Sequence, residues 1–405
     1  MQILYKPYKI LDEKPYLALV TFLIPMLNFL NGILVDMYTP SMPAIATDLH
    51  ASMVLIKNTI TATIFGYAIG AAVLGAIFDI FGRRIITVIA IILFIITSLF
   101  ATLCHDINSL IIIRFFQGVL GSVMAIGSRV IASDHFKDKK LTVVILYASL
   151  AFGIGTVIAP FIGGYLQYHF GWHANFYVFI IFSILIFIPF LLFIQERFHR
   201  AETYNYKKLI SSYHDLFSRK NFVAGLGILA IVQFELLLFP TIGSFIIEHN
   251  LNYSPIVFGQ SAFIVGLGYL AGVFTNRMLL QIKPQQNLVE LGLKIAAMST
   301  ILELCLAVFF HMTLWSLIIP IAILCYSGGF LMGNVSSVLI QTFSENASIV
   351  ASTNMSSMML LSAFACFIIS HIETNSLFTL FIIFLILILL KRTFYFKYFK
   401  PLFRG

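Results

Sequence analysis

The feature that most constrains this chain is a series of twelve apolar runs, near 16–37, 54–78, 85–104, 108–132, 141–167, 174–194, 221–247, 255–280, 287–310, 312–341, 348–371 and 375–391, each bounded by charged or turn residues. One bilayer crossing takes about 20 apolar residues, so each run can cross as a helix. Strands of a transmembrane barrel would instead alternate polar and apolar over about ten residues. Lipid leaves no third option, because only helices and closed barrels pair their own backbone groups. The expected fold is therefore an all-α membrane protein with twelve transmembrane helices. Composition points the same way: 60% of residues are hydrophobic and 10% charged, against about 25% charged in an ordinary soluble domain. With a mean hydropathy of +0.97 and 41 Phe, the apolar surface exceeds what one core can hide from water. A soluble enzyme is excluded.

The one long polar break, 195–220, divides the runs six and six. It predicts an N-terminal six-helix bundle over 1–194, a cytoplasmic linker over 195–220 and a C-terminal six-helix bundle over 221–405. Within the break, Tyr206–Leu216 has the spacing of an amphipathic helix lying on the membrane surface. Of the 25 Lys and Arg, 21 fall on the side shared by both chain ends, Lys391 and Arg392 after the last run among them; the other four are Lys57, Arg114, Arg129 and Lys294. By the positive-inside rule both termini are cytoplasmic. The net charge of +8 is then topological, and no nucleic-acid partner is expected. Lys6, Lys9 and Lys14 precede a first run without the cleavage site of a signal peptide, so that run is expected to stay as the first span. Cys104, Cys305, Cys325 and Cys366 show no metal-ligand spacing and read as small core residues. No GxxxxGK[ST] loop is present for ATP, and neither cofactor nor metal is expected.

Several polar groups stand where lipid makes them costly. Between the second and third runs, Gly75, Asp79, Gly82, Arg83 and Arg84 form G-x-x-x-D-x-x-G-R-R. The glycines suit a tight turn, and Asp79 can pair with Arg83 or with a neighbouring helix N-terminus; a basic topological stop is the plain alternative. Arg114 opens R-F-F-Q-G in the fourth run, with Gln117 and Gly118. Either it faces a wet cavity or a partner acid, or it lies at the helix start and snorkels to the interface. Arg129 reads as an interfacial charge beside Asp134. In the fifth run Gly153, Gly155, Ala159, Pro160, Gly163 and Gly164 allow close helix approach and a bend. Asp36, in D-M-Y-T-P-S-M-P-A-I-A at the end of the first run, either exchanges a proton as its surroundings alternate between wet and dry or caps the helix ahead of Pro40 and Pro43. Glu235, midway along the seventh run, is either a second ionisable functional group or is bonded to a polar neighbour such as Asn334 or Gln341. Glu303 in the ninth run reads as a supporting residue.

Taken together, these motifs resemble those of the major facilitator superfamily. The loop pattern from Gly75 to Arg84 matches that family's motif at every fixed position, and Arg114 to Gly118 is similar to its R-x-x-Q-G. The fifth run looks like its G-x-x-x-G-P-x-x-G-G signature of drug/proton antiporters, with Ala159 in place of one glycine. The segment beginning at Asp36 resembles the Bcr/CflA subfamily of bacterial drug-resistance transporters. Some related antiporters carry a further acid where Asn28 stands here. The resemblance implies two six-helix bundles around a site at the bilayer midplane. Gly75, Asp79, Gly82, Arg83 and Arg84 would then be a conformational latch, and Gly155, Pro160, Gly163 and Gly164 the antiporter motif. Asp36, Arg114 and Glu235 would couple protons, Arg114 biasing Asp36. Tyr38, Asn28, Tyr147, Phe152, Phe234 and Phe239 would line a substrate cavity, with Phe65 and Phe263 as further ring candidates. Asn276-Arg277 resembles a reduced repeat of the loop motif and reads as topological. The implied function is proton-driven export of small lipophilic or cationic organic compounds by a monomer in a bacterial inner membrane. Two alternatives stand beside it. One is export or symport of a specific metabolite, such as a siderophore or amino-acid derivative. The other is a non-transporting sensor, which would call for tails longer than the 15 or so residues at either end.

Overall fold

A computed structural model describes residues 12–74, 78–196, 214–343, 347–374 and 376–403. Among these, twelve helices are long and apolar enough to cross a membrane. They are α1 (Glu13–Asp36), α2 (Met53–Val73), α3 (Arg83–Thr102), α4 (Ile107–His135), α5 (Asp138–Phe170), α6 (His173–Phe193), α7 (Lys220–Ser244), α8 (Pro255–Leu279), α9 (Gln285–Phe309), α10 (Leu314–Thr342), α11 (Ala347–Ser370) and α12 (Leu377–Phe394). The chain divides into two compact units, Met1–Thr203 and Tyr204–Gly405. Their boundary falls inside the polar break. Of the surface helix expected over Tyr206–Leu216, residues 206–213 lie outside the described residues, and 214–218 are helical.

Short polar residues set the helix starts. Ser52 accepts from the Leu55 amide at 3.4 Å, Asp106 from the Ser109 amide at 2.9 Å and Ser376 from the Thr379 amide at 3.2 Å. At α10, Thr313 and Ser316 cap each other reciprocally. Sidedness then follows from spacing. On α3, Ile85, Val88, Ile91 and Phe94 are buried, whereas Ile89, Leu93, Ile96 and Phe100 are exposed. Both faces are apolar; one meets other helices and the other suits lipid.

In the first unit α2 packs on α4, α1 on α5 and α4, and α3 on α4 and α6. In the second, α8 packs on α10, α9 on α10 and α12, and α7 on α11 and α10. The α1–α5 contact depends on small residues. A Cβ added to Gly155 would stand 2.9 Å from the Phe29 carbonyl oxygen, and one on Gly163 would overlap the carbonyl oxygen of Met37. These glycines therefore seat α5 against α1 next to Asp36, where packing rather than hydrophobic exclusion holds helices together. Gly163→Val is expected to lower folding stability by about 1–3 kcal/mol through overpacking. A fall in the melting temperature of the detergent-purified protein, relative to a Gly153→Val control with open space at that position, checks this.

Two ends differ from expectation. After α1 the apolar segment continues through a 3-10 turn, Thr39–Ser41, and a short helix, Met42–Asp48. Asn175 donates to Ser41 at 2.8 Å and the Trp172 indole to Asp48 at 2.9 Å, tying that extension to the start of α6. After α12 a wide helical turn, Tyr395–Phe399, and a 3-10 turn, Lys400–Phe403, carry the last segment to Phe403 instead of 391. Lys391 consequently lies near the middle of the twelfth segment instead of at its end.

Candidate functional site

In the first unit the polar groups converge where α1 breaks. Pro40 has no amide hydrogen, so the Asp36 carbonyl cannot receive the next intrahelical bond; the Thr39 hydroxyl donates to it instead, at 2.7 Å. Two residues earlier, the Leu34 carbonyl accepts from Arg114 Nη2 at 2.9 Å. A guanidinium at the negative end of a broken helix answers both the orphaned carbonyl and the helix dipole. Arg114 Nη1 donates to Gln117 Oε1 at 2.8 Å, and Gln117 Nε2 donates to Ser98 Oγ at 3.0 Å, linking α4 to α3. The Arg114 guanidinium lies 4.2 Å from the centre of the Tyr38 ring, whose hydroxyl bonds that of Thr59 on α2. Arg114 has no exposed surface and sits two turns into α4. Snorkelling from the helix start is ruled out.

Asp36 is 5% exposed. Among the described residues no hydrogen bond reaches its carboxylate, and Arg114 is the cation whose field acts on it. Asn28, expected to line the cavity, is committed elsewhere: its amide donates to Ile24 O at 2.9 Å and to Ser128 Oγ at 2.8 Å, a buried tie between α1 and α4. Both its N–H bonds are used within the bundle.

In the second unit Glu235, in the middle of the Lys220–Asn250 segment, meets Lys391. The ammonium donates to Oε2 at 2.9 Å and stands 2.6 Å from Oε1, and the two side chains are 1% and 0% exposed. The partners expected from sequence are engaged otherwise. Asn334 donates to Asn276 Oδ1 at 2.8 Å, bracing α10 against α8, and Gln341 donates to Ser337 at 3.1 Å. Glu303 on α9 is 1% exposed, and its Oε1 has no hydrogen bond among the described residues.

The loop motif builds a separate cluster at the other end of the first unit. Gly82 has φ +93°, a conformation open to glycine and strained for other residues. That turn aims the amides of Arg83 and Arg84 at the Glu196 carboxylate, at 3.1 and 2.9 Å, an acidic cap on the N-terminus of α3. Arg84 is buried and donates to the Leu191 carbonyl at 2.7 Å. Arg83 forms an ion pair with Asp134 at the end of α4. Arg129, the neighbour expected for Asp134, is exposed, and the fold brings Arg83 to Asp134 across 51 positions. Gly75 and the Asp79 side chain lie outside the described residues. Glu196 was missed in the sequence, although it is the first acid after α6 and stands at the start of the 195–220 linker.

The aromatic candidates divide. Tyr38, Phe234 and Phe239 are buried within their own units, Phe239 stacked on Phe258 with centroids 5.5 Å apart. Tyr147, Phe152 and Phe65 are exposed at 50%, 37% and 42%. Phe263 is half-buried. Tyr38 serves the Arg114 network, where a ring face is as useful to a guanidinium as to a ligand.

Comparison with known proteins places this geometry. Residues 26–370 match the sequence family described as the Major Facilitator Superfamily. Over 201 residues the chain is 36% identical to an uncharacterized MFS-type transporter, YdgK, of Bacillus subtilis, covering 49% of this chain and 48% of that one. Over 177 residues it is 33% identical to a bicyclomycin resistance protein homolog of Haemophilus influenzae, covering 44% of each. The chain thus spans about half the length of these curated relatives. In fold it is similar to the crystal structure of a D-xylose-proton symporter, with a TM-score of 0.75 at 14% identity over 95% of this chain and 98% of that one.

Proposed function

The chain belongs to the Major Facilitator Superfamily, and we propose that it exports small lipophilic or cationic organic compounds in exchange for protons, by alternating access of its two six-helix units. As a member of that family it is a multi-pass membrane transporter, not an enzyme. The observation that carries the proton reading is Asp36: a carboxylate almost without exposed surface, reached by no hydrogen bond among the described residues, at the break of a membrane helix and beside a buried guanidinium. A group so placed gains or loses a proton as water reaches it from one side or the other. Arg114 balances its charge in the deprotonated state. The match to a bicyclomycin resistance protein homolog supports export of a foreign compound, and the antiporter-type glycines of α5, seated on α1 beside Asp36, support exchange over symport. The Arg83–Asp134 pair and the Glu196 cap act as a latch on one face of the first unit, engaged in this conformation. Tyr147 and Phe152 offer exposed rings to a lipophilic or cationic compound. The protein functions as a monomer in a bacterial inner membrane with both termini cytoplasmic, the side that carries most Lys and Arg.

The test uses proteoliposomes loaded with ethidium or with bicyclomycin. An imposed proton gradient is expected to drive extrusion, and a protonophore to stop it. Extrusion that continues at zero gradient, or that acidifies the compartment the compound leaves no more than a protein-free control, would refute antiport.

A further inference from the structure

Glu235 and Lys391 are separated by 156 positions yet form a two-oxygen ion pair near the middle of two membrane segments, with 1% and 0% exposure. Two opposite charges at that depth are tolerable only together: removing one partner leaves a buried charge that must find a counter-ion or neutralise. Lys391 is therefore not a topological residue, and Glu235 is not placed as Asp36 is. One carboxylate has a cation within bonding distance of both oxygens; the other is reached by no hydrogen bond among the described residues.

We propose that Lys391 is a positioning residue that holds Glu235 as a permanently ionised carboxylate, removes it from proton exchange and leaves Asp36 as the exchanging acid. The inference rests on the antiport reading and assigns its proton to a single carboxylate of the two. A proton arriving at Glu235 would have to displace an ammonium held at 2.6 and 2.9 Å. Other titratable groups stand on the helices packed against α7 and α12. From α10, Cys325 directs its thiol at the Glu235 main-chain carbonyl, at 3.9 Å. From α11, Cys366 is bonded to Thr241. From α9, Glu303 is buried without a hydrogen bond to its Oε1 among the described residues, and Glu290 already serves Lys400 at 2.9 Å and the Tyr395 hydroxyl at 3.2 Å. The pair also has a packing role, since it joins α7 to α12 where Phe394 and Phe399 close on Gly227 and Gly225.

The test is infrared difference spectroscopy of the purified, full-length protein between mildly acidic and mildly alkaline buffer, in the band of protonated buried carboxyls, with no transported compound required. The double variant Glu235→Gln/Lys391→Met removes both charges at similar volume. It is expected to fold and to give the wild-type spectrum, because Glu235 contributes no titrating proton. Lys391→Met alone is expected to add the signal of one titrating carboxyl per chain, since its unpaired Glu235 now takes up a proton; Lys391→Arg keeps the pair and the wild-type spectrum. A merely structural Lys391 would lower stability in the single variant and leave the spectrum unchanged. Loss of a wild-type titrating signal in the double variant overturns the inference, as does a folded Lys391→Met with no added signal. Where Lys391→Met fails to fold, the double variant decides alone. Asp36→Asn separates the two claims: it is expected to remove one titrating carboxyl from the wild-type signal, and a signal it leaves unchanged refutes the assignment to Asp36, whatever the double variant shows.

Discussion

Arg114→Met is expected to reduce transport to below about a tenth of wild type, the largest loss from any single substitution in the first unit. The guanidinium bonds the Leu34 carbonyl and the Gln117 side chain and lies on the Tyr38 ring. Methionine fills much of the volume but leaves two buried acceptors without donors, at about 1–3 kcal/mol each, and forfeits a cation–π contact of up to about 2 kcal/mol. Part of that is offset because a buried charge no longer has to be desolvated, so a net destabilisation of about 3 kcal/mol is expected. Transport falls for a second reason. Without its counter-charge, Asp36 keeps its proton and cannot release it on the inner side. Arg114→Lys is expected to restore folding but not transport, because a single ammonium cannot bond both acceptors and lie flat on the ring. Thermal melting in detergent and uptake in proteoliposomes check the two parts separately. A lysine variant transporting at the wild-type rate would reduce Arg114 to a point charge.

Asp36→Asn is expected to act in the opposite way, costing little stability and abolishing coupling. No hydrogen bond reaches the carboxylate among the described residues, and its neighbourhood is closed by the Thr39–Ser41 turn and α5. Asparagine preserves shape and removes both charge and proton. The variant should bind a transported compound with unchanged affinity and equilibrate it passively, while a proton gradient no longer concentrates it. Uphill transport should fall by at least about tenfold, the factor that about 1.4 kcal/mol of lost driving force represents. Substrate accumulation against its gradient, compared with counterflow at zero gradient, measures this directly; a drop in counterflow as large as the drop in accumulation would indicate a binding residue.

The membrane made the architecture readable. A chain that must satisfy every backbone group inside lipid advertises its helices as long apolar runs, and the observed boundaries agree with those runs except at the ends of the first and twelfth segments. There, apolar sequence continued through Pro40 in one case and through Lys391, Arg392 and Lys397 in the other. The charges of the twelfth segment followed a rule that counts Lys and Arg near helix ends, and Lys391 met that rule while belonging to Glu235. Arg114 and Asp36 were legible as costly residues; which carbonyl the guanidinium would cap was not, because that depended on the break at Pro40 exposing the Leu34 oxygen. The same holds for Glu196 and Asp134. Neither has a sequence neighbour that predicts its partner, and the fold brings Arg83 to both across 51 and 113 positions.

The most direct test is the proton released when a transported compound binds. Ethidium or bicyclomycin is added to the purified protein in weakly buffered solution and the pH is followed with an indicator dye. Wild type is expected to release protons in proportion to the compound bound, and Asp36→Asn to bind the compound and release none. Equal release by both would contradict the assignment of the exchanged proton to Asp36.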